Sequence, residues 1–256
     1  IELARIDQPA RTLVVSSAMP GEGKSTIVRN LALAFSESGK RVAVVEGDLR
    51  HPTLAGLFGV SIGRGFTEVL RREATLEDVM LLVGSAPAGL DDFVGAHASI
   101  TDEHRTPGNG NGNGRGAPGG TVSLLLAGQR PANPPAVLSS GRVVEVLNEL
   151  RDAYDIVLID SAPLLAVTDT VPLLRYADAS VFVGRLGVTT RDTAKRLAEF
   201  LARVPAVDVL GVVANDLSRL EASGYGYGYG YGEYSDEPQP ERASLARPVS
   251  RVEQPH

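Results

Sequence analysis

The sequence predicts an α/β fold with a mostly parallel central sheet flanked by helices, and three observations carry that reading. Short runs rich in Val, Ile and Leu recur without polar alternation, as in "TLVV" (Thr12–Val15), "VAVV" (Val42–Val45) and "IVLI" (Ile156–Ile159). Strands apolar on both sides belong to sheets covered on both faces, which are predominantly parallel. Amphipathic segments of helical period separate these runs, giving the strand–helix–strand alternation of βαβ units. Glycine-rich turns and acidic residues cluster where the runs stop, at the edge where open parallel sheets bind ligands.

The elements follow in order. "TLVVSS" from Thr12 reads as a buried strand and passes through "AMPGEGK" into the helix "STIVRNLALAFSESGK". In that helix Ile27, Leu31, Ala34 and Phe35 recur at helical spacing, and Gly39 is the stop signal. A second strand, Arg41 to Val45, ends in "EGDLRHP". Short helices are predicted over Thr67–Arg72 and Thr75–Leu82. "VSLLLAG" is a strand, followed by a Pro-rich turn, the helix "SSGRVVEVLNELRDA" and the strand in "YDIVLIDSAP". A helical stretch over Asp169–Arg175, the strands "ASVFVGR" and "VLGVVAN", and the helix Arg191–Arg203 between them complete the domain.

Two segments resist this reading. Residues 104–121, "HRTPGNGNGNGRGAPGGT", hold too little apolar surface to offset the entropy of ordering, so a disordered insertion is expected inside the domain. From about Leu220 the composition turns to Gly, Tyr, Pro, Ser and charge. The expected division is therefore a domain over 1–219 and a disordered tail over 220–256. Five of the seven tyrosines, Tyr225, Tyr227, Tyr229, Tyr231 and Tyr234, crowd into this tail.

Composition narrows the function. The chain has 256 residues and 43% hydrophobic content, enough for one substantial core. A formal charge of -6 and a pI near 5.3 argue against a nucleic-acid-coating protein. The absence of cysteine removes disulfides, thiol catalysis and Cys-based zinc sites. His51, His97, His104 and His256 show no metal-ligand spacing. No apolar run reaches the ~18 residues of a membrane span.

The chemistry concentrates in three stretches. "Ala18-Met19-Pro20-Gly21-Glu22-Gly23-Lys24-Ser25", followed by Thr26, lies between a strand and a helix and matches the P-loop pattern with Ala18 in place of the first glycine. Small residues let successive backbone N–H groups turn around phosphate oxygens, and the helix N-terminus adds its positive dipole end. Lys24 reaches the β- and γ-phosphates and the Ser25 hydroxyl ligates Mg²⁺. Asp160, the acid at the carboxyl end of "IVLID", is the expected Walker B partner, holding Mg²⁺ directly or through water. A second acidic strand end, "Glu46-Gly47-Asp48-Leu49-Arg50-His51-Pro52", brings Asp48 toward the same metal, unless Asp48 merely caps a turn while Glu46 faces solvent.

Together these stretches resemble the bacterial tyrosine kinases of capsular and exopolysaccharide synthesis, the BY-kinase family. Its patterns "SSxxPGEGKS", "DxDxRxP" and "IDxxP" stand here as Ser16–Ser25, Glu46–Pro52 and Asp160–Pro163. "NPPAVLSS" (Asn133–Ser140) is similar to the family's "NPxELLxS", and "TDT" at Thr168–Thr170 and Asn215 after the last strand also match. The likeness covers about Thr12 to Asp216, and then the tail. It departs from the family at Glu46, where an Asp is usual, at Ala136, where a Glu is usual, and in the Gly/Asn insertion. The partitioning, septum-siting and nitrogenase-iron-protein ATPases share the fold but carry an extra early lysine in the loop, and no lysine precedes Lys24 here.

The resemblance implies an ATP- and Mg²⁺-dependent tyrosine autokinase whose C-terminal tyrosines are the phosphoacceptors. It implies Asp48 as proton acceptor or metal ligand, with Arg50 as a contact to phosphate or a support for Asp48; Asn215, at the end of the last strand, is a candidate contact for adenine unless it only forms a turn. It further implies a transmembrane chain-length or activator domain as partner, a cognate tyrosine phosphatase, and work at the cytoplasmic side of the bacterial plasma membrane. The family assembles into a homo-oligomeric ring through an upstream E-x-x-R-x-x-R helix. "Glu2-Leu3-Ala4-Arg5-Ile6-Asp7-Gln8" is only a near-match, so the chain is read as a piece starting just after that motif. A P-loop ATPase switch and a non-catalytic nucleotide-binding subunit of a polysaccharide assembly system are the alternatives.

Overall fold

A computed structural model of the chain describes residues 10–85, 120–204 and 207–216. Among these residues seven strands form one sheet: β1 (Thr12–Ser17), β2 (Arg41–Glu46), β3 (Leu81–Ser85), β4 (Thr121–Leu125), β5 (Ile156–Asp160), β6 (Ala179–Arg185) and β7 (Val209–Asn215), in the order β3-β4-β2-β5-β1-β6-β7. Every pairing is parallel except β3 with β4.

The apolar strands bury both faces, as their composition requires. Leu13, Val15, Val42, Val44 and Leu158 point into one core, where α1 (Lys24–Glu37) contributes Val28, Ala32, Leu33 and Phe35. Val14, Ala43, Val45, Val157 and Ile159 point into the other. That second core is closed by Val143, Val146, Leu147 and Leu150 and by Leu173 and Leu174. The first four lie on one long helix, Gly141–Ala153, and the last two on the short helix Thr170–Tyr176.

The remaining described elements depart from the sequence reading in instructive ways. The short helix α2 (Leu54–Phe58) was not anticipated. Next come α3 (Phe66–Leu70) and α4 (Leu76–Val79). The helix expected over Thr75–Leu82 starts on a capping box, Thr75 with Asp78, but stops after one turn. Met80 is extended, and Leu81 and Leu82 pair instead with Leu124 and Ser123 in antiparallel β3. A helix of one turn carries the cost of nucleation with few hydrogen bonds to offset it, so it yields to the open edge of β4, which offers Leu81 and Leu82 backbone partners. The Pro-rich turn contains α5 (Pro134–Leu138), with Pro134 in its first turn and the Asn133 side chain accepting from the Ala136 amide at 3.3 Å. The two long-range helices named above become α6 (Gly141–Ala153) and α7 (Thr170–Tyr176), and α8 (Arg191–Leu201) follows.

Thr121, counted with the insertion by composition, opens β4. Residues 104–119 of that insertion, the near-match at Glu2–Gln8 and the tail over 220–256 with its tyrosines lie outside the described residues. Among the described residues no helix is long and apolar enough to cross a membrane.

The topology gathers the chemistry at one edge. The loop after β1, the acids after β2, Asp160 at the end of β5, Arg185 at the end of β6 and Asn215 at the end of β7 all sit at the carboxyl ends of parallel strands.

Candidate active site

The loop between β1 and α1 has the backbone that its glycines permit. Gly21 and Gly23 take φ of 77° and 93°, a region costly for any residue with a Cβ. At Gly23 a Cβ would also lie 2.0 Å from Asn215 Nδ2, so a side chain there would displace Asn215. Directly after it Lys24 opens α1 and is 8% exposed.

A cavity of about 430 Å³ opens against this loop. Of the residues singled out in the sequence, Pro20, Gly21, Gly23, Lys24, Ser25, Thr26, Asp48 and Arg50 line it. His51 and Pro163, which lie within the quoted stretches, line it as well, and so do Thr53 and Leu57, which carry no sequence signal of their own.

Asp160 does not itself line the cavity; it is 1% exposed and lies beside two residues that do, Lys24 and Ser25, which act on its charge. Burial pushes its carboxyl up to about 7, against the opposing pull of the Ser25 hydroxyl and Lys24. Glu46 and Asp48 add to the upward push through like charge. Its Oδ1 has no hydrogen-bond partner among the described residues. A buried carboxylate oxygen without a partner is costly and calls for a cation. The Ser25 hydroxyl, which accepts from Thr53 Oγ1 at 2.9 Å, supplies a second oxygen ligand beside it. This donor set fits Mg²⁺, which keeps waters and takes one or two protein oxygens together with substrate phosphates. No group of three or more acidic or histidine ligands exists among the described residues, so an all-protein cage is not the arrangement on offer.

The second acidic strand end divides its labour. Glu46, in register with Asp160 on the neighbouring strand, is 1% exposed and does not face solvent. Its Oε1 accepts from the amides of Thr53 at 2.6 Å and Leu54 at 2.7 Å, and its Oε2 from Ala127 at 3.0 Å. The longer side chain that departs from the family pattern thus caps α2 and ties it to the end of β4, which explains why a helix with no cap of its own forms there. Glu46→Gln turns one acceptor into a donor facing an amide. It is expected to lower unfolding stability by about 2–3 kcal/mol, read as a shift of the urea midpoint, while Ser25 and Asp160 keep their places.

Asp48 is 8% exposed, and its Oδ1 accepts from the amides of Arg50 at 3.2 Å and His51 at 3.0 Å. It therefore caps a turn and lines the cavity at once. Gly47 makes this possible. Its amide donates to the Asp160 carbonyl at 2.7 Å, and a Cβ would sit 2.9 Å from that same oxygen. Arg50 supports the turn from the other side with two bonds to Asp169 of the "TDT" stretch, Nε to Oδ2 at 2.5 Å and Nη2 to Oδ1 at 3.2 Å. Those bonds raise the guanidinium pKa, and Asp169 is itself buried.

Three residues expected to bind nucleotide do not line the cavity. Met19 is 43% exposed, with its amide turned to Glu22 and its carbonyl to the Ser17 hydroxyl. The Glu22 side chain is fully buried behind the loop, as a carboxylate facing polyphosphate would not be. Asn215 donates from Nδ2 to the Glu22 carbonyl at 3.0 Å and so braces the loop.

This fold and this loop define a P-loop nucleotide-binding domain. The family described as the CobQ/CobB/MinD/ParA nucleotide binding domain matches residues 13–223. Tyrosine-protein kinase YwqD of Bacillus subtilis is 32% identical over 227 residues, 88% of this chain and 81% of that protein. Tyrosine-protein kinase ptk of Acinetobacter johnsonii is 32% identical over 83% of this chain, which spans only 24% of that longer protein. Among solved structures, the BceF tyrosine kinase domain superposes with a TM-score of 0.62 at 30% identity, over 83% of this chain and 72% of that one. The chain belongs to the CobQ/CobB/MinD/ParA nucleotide-binding family and, within it, to the bacterial tyrosine kinases.

Proposed function

We propose that this chain is an ATP-dependent protein-tyrosine autokinase that phosphorylates its own C-terminal cluster, Tyr225, Tyr227, Tyr229, Tyr231 and Tyr234. The observation that carries the reading is the convergence of Lys24, Ser25 and Asp48 on one cavity, with a buried, partnerless Asp160 oxygen next to Lys24 and Ser25. The kinase relatives and the tyrosine tail support it.

Phosphoryl transfer needs positioning and charge neutralisation more than covalent help. In this reading the loop amides and Lys24 hold the β- and γ-phosphates. Ser25 and Asp160 hold Mg²⁺, which when bound neutralises charge developing on the transferred group. A tyrosine hydroxyl attacks the γ-phosphorus, the bond to the ADP oxygen breaks, and the phenolic proton, with an ordinary pKa of about 10, passes to Asp48. Both described bonds to Asp48 fall on Oδ1, leaving Oδ2 for that proton. Arg50 fixes the Asp48 turn through Asp169. Asn215 carries two jobs, bracing the loop and meeting the adenine base.

Regulation of capsular or exopolysaccharide synthesis, a transmembrane activator partner, a tyrosine phosphatase, ring-like self-association and residence at the cytoplasmic face of the plasma membrane complete the proposal. Each phosphotyrosine adds about -1.5 to -2 charges. Five outweigh the chain's formal -6, a load that drives neighbouring subunits apart.

Incubation with ATP and Mg²⁺ followed by mass spectrometry of the tail tests the reading, beside Lys24→Met. Phosphotyrosine present in the parent and lost in the variant is the expected result. Phosphate release without tail labelling would replace it with an ATPase switch, and nucleotide binding with neither product with a non-catalytic subunit.

A further inference from the structure

Glu22 sits inside the phosphate-binding loop, is completely buried, and has no part in the chemistry above. Its Oε2 accepts from the Met19 amide at 2.8 Å, and its Oε1 accepts from the Thr189 hydroxyl. Thr189 follows the end of β6, 167 residues away in the chain, and its oxygen in turn accepts from the Arg185 amide at 2.8 Å. The hydroxyl is thus spent on both sides, its proton on Glu22 and a lone pair on the last residue of β6.

The rest of the loop is pulled the same way. The Glu22 carbonyl accepts from Asn215 at 3.0 Å, and the Gly21 carbonyl lies 3.5 Å from Arg185 Nη1, whose guanidinium is bound to Asp216. In a trans peptide the carbonyl and the next N–H point in opposite directions. Drawing the Gly21 and Glu22 carbonyls back toward β6 and β7 therefore aims the N–H groups of Glu22 and Gly23 forward, to the side of the cavity lined by Gly21, Gly23 and Lys24. A P-loop binds phosphate with such amides.

We propose that Glu22 is a positioning residue for nucleotide phosphates, latched to the end of β6 through Thr189 so that the loop amides are aimed before ligand arrives. The side chain never touches phosphate; it acts through the loop backbone, and Thr189 belongs to the nucleotide site although it lies outside every motif. The inference rests on the nucleotide-binding reading.

The test compares Thr189→Val, which keeps shape and loses the hydroxyl, with Thr189→Ser, which restores it, in the full chain. Calorimetric titration with Mg·ADP should show affinity weakened roughly five- to tenfold in the valine variant and within about twofold of the parent in the serine variant, with the ligand-free thermal midpoint lowered in Thr189→Val, whose buried Glu22 oxygen loses its donor, and restored in Thr189→Ser. Hydrogen exchange on the ligand-free chain should show the peptide around Met19–Gly23 less protected in Thr189→Val and restored in Thr189→Ser, with β5 unaffected. Equal ADP affinity in parent and valine variant, or unaltered protection of the loop, overturns the latch. Altered protection with equal affinity shows a tie in the fold without a role in binding, which also overturns it. A parent chain that binds no Mg·ADP overturns the nucleotide reading, and the proposal with it.

Discussion

Asp160→Asn is expected to make the ligand-free protein more stable at pH 8 and to abolish Mg²⁺-dependent phosphoryl transfer. Burial pushes the native carboxyl up to about 7, against 3.8 for the unconstrained group. Between those values the native state holds a proton that the unfolded state has lost. Stability therefore falls as pH rises from about 4 to about 7 and levels off above. Asparagine carries no charge to bury, so the variant should lose this slope, with a midpoint at pH 8 higher by roughly 5 °C. Magnesium should stabilise the parent more at pH 8 than at pH 6, because the cation and the proton compete for one carboxylate, and should leave the variant unmoved. Thermal melts at both pH values, with and without Mg²⁺, check all of this. A variant midpoint at or below the parent's at pH 8 would falsify the assignment of Asp160 as a buried carboxylate that burdens the ligand-free fold.

Lys24→Met should cost about 10²- to 10³-fold in the rate of tail phosphorylation, the usual size of losing one preorganised charge at a transferring phosphoryl group. Lys24 is 8% exposed at the start of α1, and methionine fills nearly the same volume, so the fold should survive with an unchanged melting profile. Single-turnover labelling with ATP in excess measures the loss. A residual rate above about one tenth of the parent's would show that the lysine binds ATP without acting on the transferred group.

Much of this site is legible in the sequence because its signals are local. The run from Thr12 through Ser25 carries strand, glycine loop and helix start within one continuous stretch, and the geometry follows from φ values that only glycine accepts freely. Asp160 is readable because an acid ending an apolar run falls at the carboxyl edge whenever the sheet is parallel. The tyrosine cluster is legible as composition.

What was not legible depends on partners far away in the chain. Glu46 reads as a departure from the family's Asp or as a solvent-facing acid; only the arrival of Thr53, Leu54 and Ala127 shows it to be a cap holding α2 to β4. Glu22 reads as part of a phosphate loop, and only the fold turns it inward to Thr189. Arg50 finds Asp169 across 119 residues. Leu81 and Leu82 leave the helical pattern because β4 presents an edge that no local window contains.

The sequence by itself determined the parallel sheet, the P-loop and the acid at the end of β5, since each follows from the apolar period and the conformational tolerance of neighbouring residues. The tertiary structure alone decided which polar side chains face the cavity and which hold the loop from behind. Charge and hydrogen-bonding capacity are properties of a residue, but the direction in which a buried carboxylate is satisfied depends on which donors the fold brings to it.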